Sequence, residues 1–375
     1  MKFKIINEIF IEAIYNVNRA LSNKTPMPIL KSVKIDLTNE GINLTASDSN
    51  ITIKQFIPTF INDKQIIFVE EEGSSAIPGK LLQEVLRKAN DEFVELTMIE
   101  DKLVHINFKN AVFTLNCLDV KEYPNINLIS SNQPIIVDSK KLSEIIRQTV
   151  ISIATSESRP ILTGINFKVQ DNILYCIATD SYRLSEKIFK FDNEITDINI
   201  VVPGKSLLEL EKLIQSKPGE IKIHLSNNII SFEMDNLIFQ SRLLDGTYPE
   251  TSRLIPKEFG LTLGFNRHEL IDIVDRVSLL SKEGATNIIK FDVYEDKTII
   301  SLESTEIGKV VEEVHPLSQE GSLLRIGFNA KYLLDALRIL DDNIVKIMFT
   351  GEVRPFIVKT KDESITQLIL PVRIE

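Results

Sequence analysis

The chain has 375 residues, 43% of them hydrophobic, enough to bury more than one core and to suggest two or three domains. A net charge of −10 argues against a protein that holds nucleic acid by bulk electrostatics. There is no apolar run of about 18 residues and no basic-then-apolar N-terminus, which excludes a transmembrane helix and a signal peptide and predicts a cytoplasmic address with no membrane partner.

In chain order, one cycle of elements recurs three times. It opens with a short apolar strand and an amphipathic helix, at 3–6 and 9–21, at 135–137 and 142–153, and at 261–265 and 270–280. Two strands joined by a polar turn follow, at 29–37 and 42–46, at 161–169 and 173–177, and at 288–293 and 298–302. A third strand then leads into a helix start: Pro78-Gly79-Lys80, Pro203-Gly204-Lys205 and Asn329-Ala330-Lys331, whose lysines are about 125 residues apart. Strands close each cycle. The first two cycles end on a shared phrase, Leu118-Asp119 with Tyr123-Pro124-Asn125, and Leu244-Asp245 with Tyr248-Pro249-Glu250. Three α+β domains are expected, at 1–127, 128–254 and 255–375. Cys117 and Cys176 lie in apolar strand-like runs and read as buried free thiols.

The stretch from Ile173 to Leu184 ends an apolar strand in Thr179-Asp180-Ser181-Tyr182-Arg183. These residue types make a tight turn that bonds its own backbone, and they equally make a pocket lip on which Tyr182 and Arg183 anchor a peptide. Both readings stand on the loop alone.

Catalytic signatures are missing. Gly204-Lys205-Ser206 would need a glycine at Asn199 to wrap a phosphate, so it reads as a structural helix start. His105, His224, His268 and His315 have no metal-pair spacing, and no nucleophile elbow is present. No catalytic residue, metal or cofactor is expected.

Together, Arg159-Pro160-Ile161-Leu162-Thr163-Gly164, Ala178-Thr179-Asp180-Ser181-Tyr182-Arg183-Leu184, Leu244-Asp245-Gly246-Thr247-Tyr248-Pro249 and the tail Gln367-Leu368-Ile369-Leu370-Pro371-Val372-Arg373 resemble the bacterial sliding clamp family, the beta subunit of DNA polymerase III. The resemblance covers the whole chain. It implies a non-catalytic processivity factor: a head-to-tail homodimer of six clamp domains, helices inside and sheets outside, closed around duplex DNA. Twelve helices packed at about 10 Å leave an opening of roughly 28 Å, so retention would be topological and sequence-independent. An acidic chain is compatible with that, because loose contacts let a ring slide.

The resemblance further implies DNA-facing basic residues, Lys80, Arg147, Lys205, Arg276, Lys331 and Arg338 on helices, with Lys24 and Arg159 in loops. Arg87, Lys88, Lys140, Lys141, Lys212 and Arg267 are additional lining candidates. It also implies a peptide pocket between the second and third domains. Leu162, Thr179, Ser181, Tyr182, Arg183 and Leu184 would form one wall, and Pro249, Arg253 and Leu254 the floor. Asn329, Tyr332, Val353 and Pro355 would come from the third domain, and Leu368, Ile369, Leu370, Pro371, Val372 and Arg373 would close the far side. Implied partners are the replicative polymerase alpha subunit, the clamp loader, repair polymerases and other proteins with a clamp-binding motif, at a nucleoid-associated address. Two departures bear on peptide preference: Tyr182 stands where the family usually has histidine, and Glu375 is an extra terminal charge. The dimer contact is expected between a face near 74–82 and one near 299–313, where Glu303, Glu306, Glu312 and Glu313 lie. The alternative is a peptide-binding scaffold of the same fold that does not encircle DNA.

Overall fold

The structure, a computed structural model, describes residues 1–22, 25–100, 102–109, 111–131, 133–215, 217–281, 287–304 and 308–374. Among these residues each cycle supplies two α-helices: α1 (Asn7–Asn18) and α2 (Gly79–Lys88), α3 (Ser139–Val150) and α4 (Gly204–Ile214), α5 (Arg267–Val277) and α6 (Ala330–Ile339). The lysines read as helix starts stand at the second position of α2, α4 and α6. The glycines before two of them serve packing: a Cβ on Gly79 would collide with Asn18 and Leu21, and one on Gly204 with Ile153. The phosphate-loop resemblance of Gly204-Lys205-Ser206 is thereby explained as close approach of the helix start to its neighbours.

The chain forms two compact units, residues 1–141 with 212–243, and residues 142–211 with 244–375. These units divide the middle cycle, and strand pairing shows why. In the first unit an eight-stranded antiparallel sheet joins the set Gly73–Pro78, Ser32–Thr38, Gly41–Ser47 and Ile51–Pro58 to a set ending in Leu237–Arg242. The joint is the pairing of Ile51–Pro58 with Leu237–Arg242, with Thr52 opposite Gln240. A nine-stranded sheet in the second unit repeats the construction. Its joint pairs Arg183–Lys190 with Ile365–Ile369, setting Leu184 opposite Leu368. Each unit also holds a five-stranded sheet, one ending at strand Ala111–Asn116 and the other at Gly308–Val314.

Alternation assigns the faces. In the first unit Val33, Ile35, Leu44 and Ile53 are buried on the face where Asn16 of α1 bonds Gln55 Oε1 at 3.1 Å. Lys34, Asn43, Thr45 and Lys54 consequently point to the opposite face, along which the linker after Tyr123 runs. In the second unit α3 reaches the sheet through a buried polar chain: Ser152 Oγ bonds Ser185 Oγ, which donates to Gln367 Oε1, while Gln367 Nε2 donates to the Gln148 carbonyl. Ser185 and Gln367 therefore face the helix, and their neighbours Leu184 and Leu368 face the linker. Both cysteines are free and buried as expected, and burial raises their thiol pKa values.

Candidate functional site: the joint of the nine-stranded sheet

The Thr179–Arg183 loop makes the self-bonded turn that its residues allow. Thr179 Oγ1 donates to the Arg183 carbonyl at 2.6 Å, and Asp180 Oδ1 accepts the N–H groups of Tyr182 and Arg183 at 2.9 and 3.0 Å. Ser181 sits at φ 77°, which closes the turn. This self-bonded turn holds Tyr182 outward, 63% exposed.

Arg183 is held from three sides. Its Nε bonds Asp180 at 3.0 Å, its Nη1 bonds Asp335 of α6 at 2.7 Å, and its guanidinium lies 4.5 Å over the Tyr332 ring. With the side chain 11% exposed, it ties the loop to α6 and offers little of itself to a ligand. Burial, with the Asp180 carboxylate adding to it, raises the Tyr332 hydroxyl pKa, so this ring stays neutral beneath the guanidinium.

Beneath the loop lies an apolar cluster that gathers three predicted pocket residues, Leu162, Leu184 and Leu368, with Tyr248, Ile177 and Ile357. The Tyr248 hydroxyl accepts the Thr179 N–H at 3.0 Å, fastening the linker phrase under the turn. Phe259 packs on this cluster and also lines a cavity of about 470 Å³, where it meets the predicted Arg253, Leu254 and Pro355. Leu254 and Val353 are 52% and 65% exposed, and Pro249 and Ser181 are exposed as well. Asn329 accepts the Lys331 N–H and so caps α6.

The tail divides at Leu370. Leu368 and Ile369 belong to the Ile365–Ile369 strand, buried at all five positions and paired on both sides, so they form sheet and core here. Leu370 is exposed with its N–H on the Tyr182 carbonyl at 2.9 Å, and Pro371–Val372 pairs with Gly327 and Phe328. Arg373 is exposed, and Glu375 lies outside the described residues. Asp335 and Phe259 escaped the sequence reading. An arginine between apolar neighbours signals a carboxylate somewhere, but no spacing says which; Phe259 carries no signal beyond being an aromatic residue among polar neighbours.

The expected DNA-facing residues among those described are on the surface. Lys80, Lys205, Lys331 and Arg159 are exposed, and Lys24 lies outside the described residues. Arg147 pairs with Asp341 at 3.2 Å, Arg276 with Glu312 at 2.7 Å and Arg338 with Asp275 at 3.1 Å. Pairs exposed in this way are screened by solvent and salt, so a phosphate can compete with the carboxylate. Arg267, by contrast, is committed: its Nε donates to the Asp342 carbonyl and its Nη1 to the Leu337 carbonyl, at the C-terminal end of α6. Glu303 and Glu313 pair with Lys309 and Lys297, and Glu306 lies outside the described residues.

Among the described residues no group of His, Cys, Asp and Glu is arranged to hold a metal, and no helix is long and apolar enough to cross a membrane. His224 is structural: its Nδ1 accepts the Ser131 N–H at 2.9 Å, so Nε2 carries the proton to Glu233 at 3.0 Å.

Three family models match in order: the N-terminal domain of the DNA polymerase III beta subunit over residues 1–127, the central domain over 136–250 and the C-terminal domain over 252–373. The chain is 41% identical over 376 residues to the beta sliding clamp of Bacillus subtilis (strain 168), covering all of both chains. It is 39% identical over 374 residues to that of Staphylococcus epidermidis, covering all of this chain and 99% of the other. Solved structures of a Bacillus subtilis DNA polymerase sliding clamp and a Streptococcus pneumoniae DNA polymerase III beta chain superpose with TM-scores of 0.96 and 0.96, at 40% and 35% identity, each covering all of both chains.

Proposed function

The chain belongs to the DNA polymerase III beta subunit family, the sliding clamps, and from that premise we propose that it closes as a head-to-tail homodimer around duplex DNA and tethers the replicative polymerase to it. The observation that carries this reading is the likeness to sliding clamps along the entire chain. The beta subunit is a non-catalytic processivity factor, built here from three clamp domains whose boundaries we place at 1–127, 128–254 and 255–375.

The repeat itself argues for the ring. Two joints are made inside the chain, each pairing the last strand of one cycle with the third hairpin strand of the preceding one. The strands left over are Ala111–Asn116, last of the first cycle, and Gly308–Val314, third of the last cycle, and both end their sheets. Val112 and Val311 are 63% and 52% exposed on them. An open apolar edge is a template for a further strand, and two copies joined head to tail would cover both. This edge stands beside the first-domain face expected around 74–82, where Ala76 is bridged to Leu118 and Leu81 is 45% exposed.

Helix starts support the DNA contact. α2, α3, α4 and α6 carry no acid in the first turn, yet Lys80, Lys140 with Lys141, Lys205 and Lys331 stand there. A lysine adds to the positive helix end, at a cost to the helix that a nearby phosphate would offset.

The joint of the nine-stranded sheet is the peptide site. Its apolar cluster, open cavity and outward Tyr182 suit a segment bearing leucine or phenylalanine, each worth about 1.5–3 kcal/mol when buried. After ordering costs a net of about 8 kcal/mol gives a micromolar complex, which lets the polymerase alpha subunit, the clamp loader and repair polymerases exchange. Primer extension on a singly primed circular template tests the function: with loader and polymerase, long products require this chain, and the Tyr182→Ala/Leu254→Ala variant shortens them while remaining dimeric. Equal product length with and without the chain would refute it.

A further inference from the structure

The joint of the eight-stranded sheet is built on the same plan as the peptide site, and its chemistry is different. Ser47 Oγ donates to the Ile51 carbonyl at 3.0 Å, Asp48 Oδ1 accepts the N–H groups of Asn50 and Ile51 at 3.0 and 2.8 Å, and Ser49 has φ 79°. That is the turn of Thr179, Asp180 and Ser181 over again. Tyr123 repeats Tyr248, donating its hydroxyl to the Thr45 carbonyl at 3.3 Å. The paired positions have changed character. Where Leu184 faces Leu368 at the peptide site, Thr52 faces Gln240 here, and Gln240 binds the linker backbone at Asn127 and Ile129. Where strand registers place Tyr175, Ile177 and Glu186 there, they place Asn43, Thr45 and Lys54 here.

The result is a polar cavity of about 380 Å³ on the linker face, walled by Lys34, Lys54, Lys121, Asn43, Asn125 and a single carboxylate, Asp36. Its size is that of an ordinary ligand site. Lys34 is 3.1 Å from Asp36, a partly exposed and exchangeable pair, which leaves an excess of positive charge on a chain of net charge −10. Screening beyond about 8 Å limits what remoter acids subtract from that excess, while Asp119 and Glu122 flank Lys121.

We infer that this cavity is a second docking site, which takes a short acidic peptide segment by its carboxylates. The face decides between peptide and nucleic acid. The cavity opens on the side of the sheet opposite α1 and α2, and α2 carries Lys80, which is assigned to DNA; this step rests on the clamp reading above.

The test is fluorescence anisotropy on the full-length protein with two labelled peptides, one glutamate-rich and one carrying leucine and phenylalanine. The acidic peptide is expected to bind saturably, to weaken at least about tenfold in Lys54→Glu/Lys121→Glu, and to weaken as salt rises from about 50 to 500 mM. The leucine–phenylalanine peptide should be unaffected by those substitutions and lost in Tyr182→Ala/Leu254→Ala. Should the double variant melt below the parent, Lys121→Glu alone, on an exposed turn, is expected to weaken the acidic peptide about threefold. The inference is overturned if the acidic peptide fails to saturate, if these substitutions leave it unchanged, or if a single-stranded oligonucleotide displaces it from this cavity. Failure of the leucine–phenylalanine peptide alone would count against the peptide-site reading instead.

Discussion

Arg183 shows how much a single side chain does at the joint of the nine-stranded sheet. It satisfies Asp180 and Asp335 and covers Tyr332, so removing it strands a partly buried carboxylate. Arg183→Ala is expected to lower unfolding stability by about 2 kcal/mol in denaturant titration, with Arg183→Lys recovering little because an ammonium cannot fork and stack at once. Lys187 is the second such residue, 6% exposed between Glu144 at 2.7 Å and Asp362 at 2.8 Å. Burial alone would raise the Asp362 carboxyl, but Lys187 and Ser364 outweigh it and hold the group at about 2, below its ordinary 3.8. A depressed carboxylate contributes stability above its unfolded value and loses it as pH falls toward its folded one. Melting temperature should therefore drop between about pH 4 and pH 2, and Lys187→Met should flatten that limb. Neither role was legible in the sequence, because Asp335 and Asp362 are remote in chain order from their partners.

At the scale of elements, what was legible is what is local. Hairpin strands, helix starts and the lysines at the second position of α2, α4 and α6 follow from patterns within a few residues. The joints are not local: Ile51–Pro58 meets Leu237–Arg242 across most of two cycles, and nothing in either strand names the other. The tail illustrates the difference. Consecutive apolar residues from Leu368 onward fit a cleft wall by resemblance, yet the same pattern marks a strand covered on both faces, and Ile365–Ile369 is such a strand. Leu368→Ala should accordingly cost about 3 kcal/mol of stability as well as peptide affinity, since it opens a void in the cluster with Leu162 and Leu184. Asn329→Ala, which uncaps α6, should cost about 1 kcal/mol in the same titration.

For the whole molecule, the proposed ring predicts that strands Ala111–Asn116 and Gly308–Val314, each at one end of its sheet, pair between copies. Val112→Lys with Phe113→Asp on strand Ala111–Asn116 places charge on an edge that must pair, and sedimentation velocity should then show monomer where the parent shows dimer. Loss of the ring should abolish processive synthesis while leaving peptide binding intact, because every residue of the cluster proposed to take the peptide comes from one chain.

Topological retention is read out by loading the protein, with its loader and ATP, onto nicked circular plasmid and then cutting the circle. A ring stays on the closed circle through gel filtration at moderate salt and runs off once ends are made, whereas equal retention on circular and linear DNA would mean ordinary affinity and would contradict the clamp.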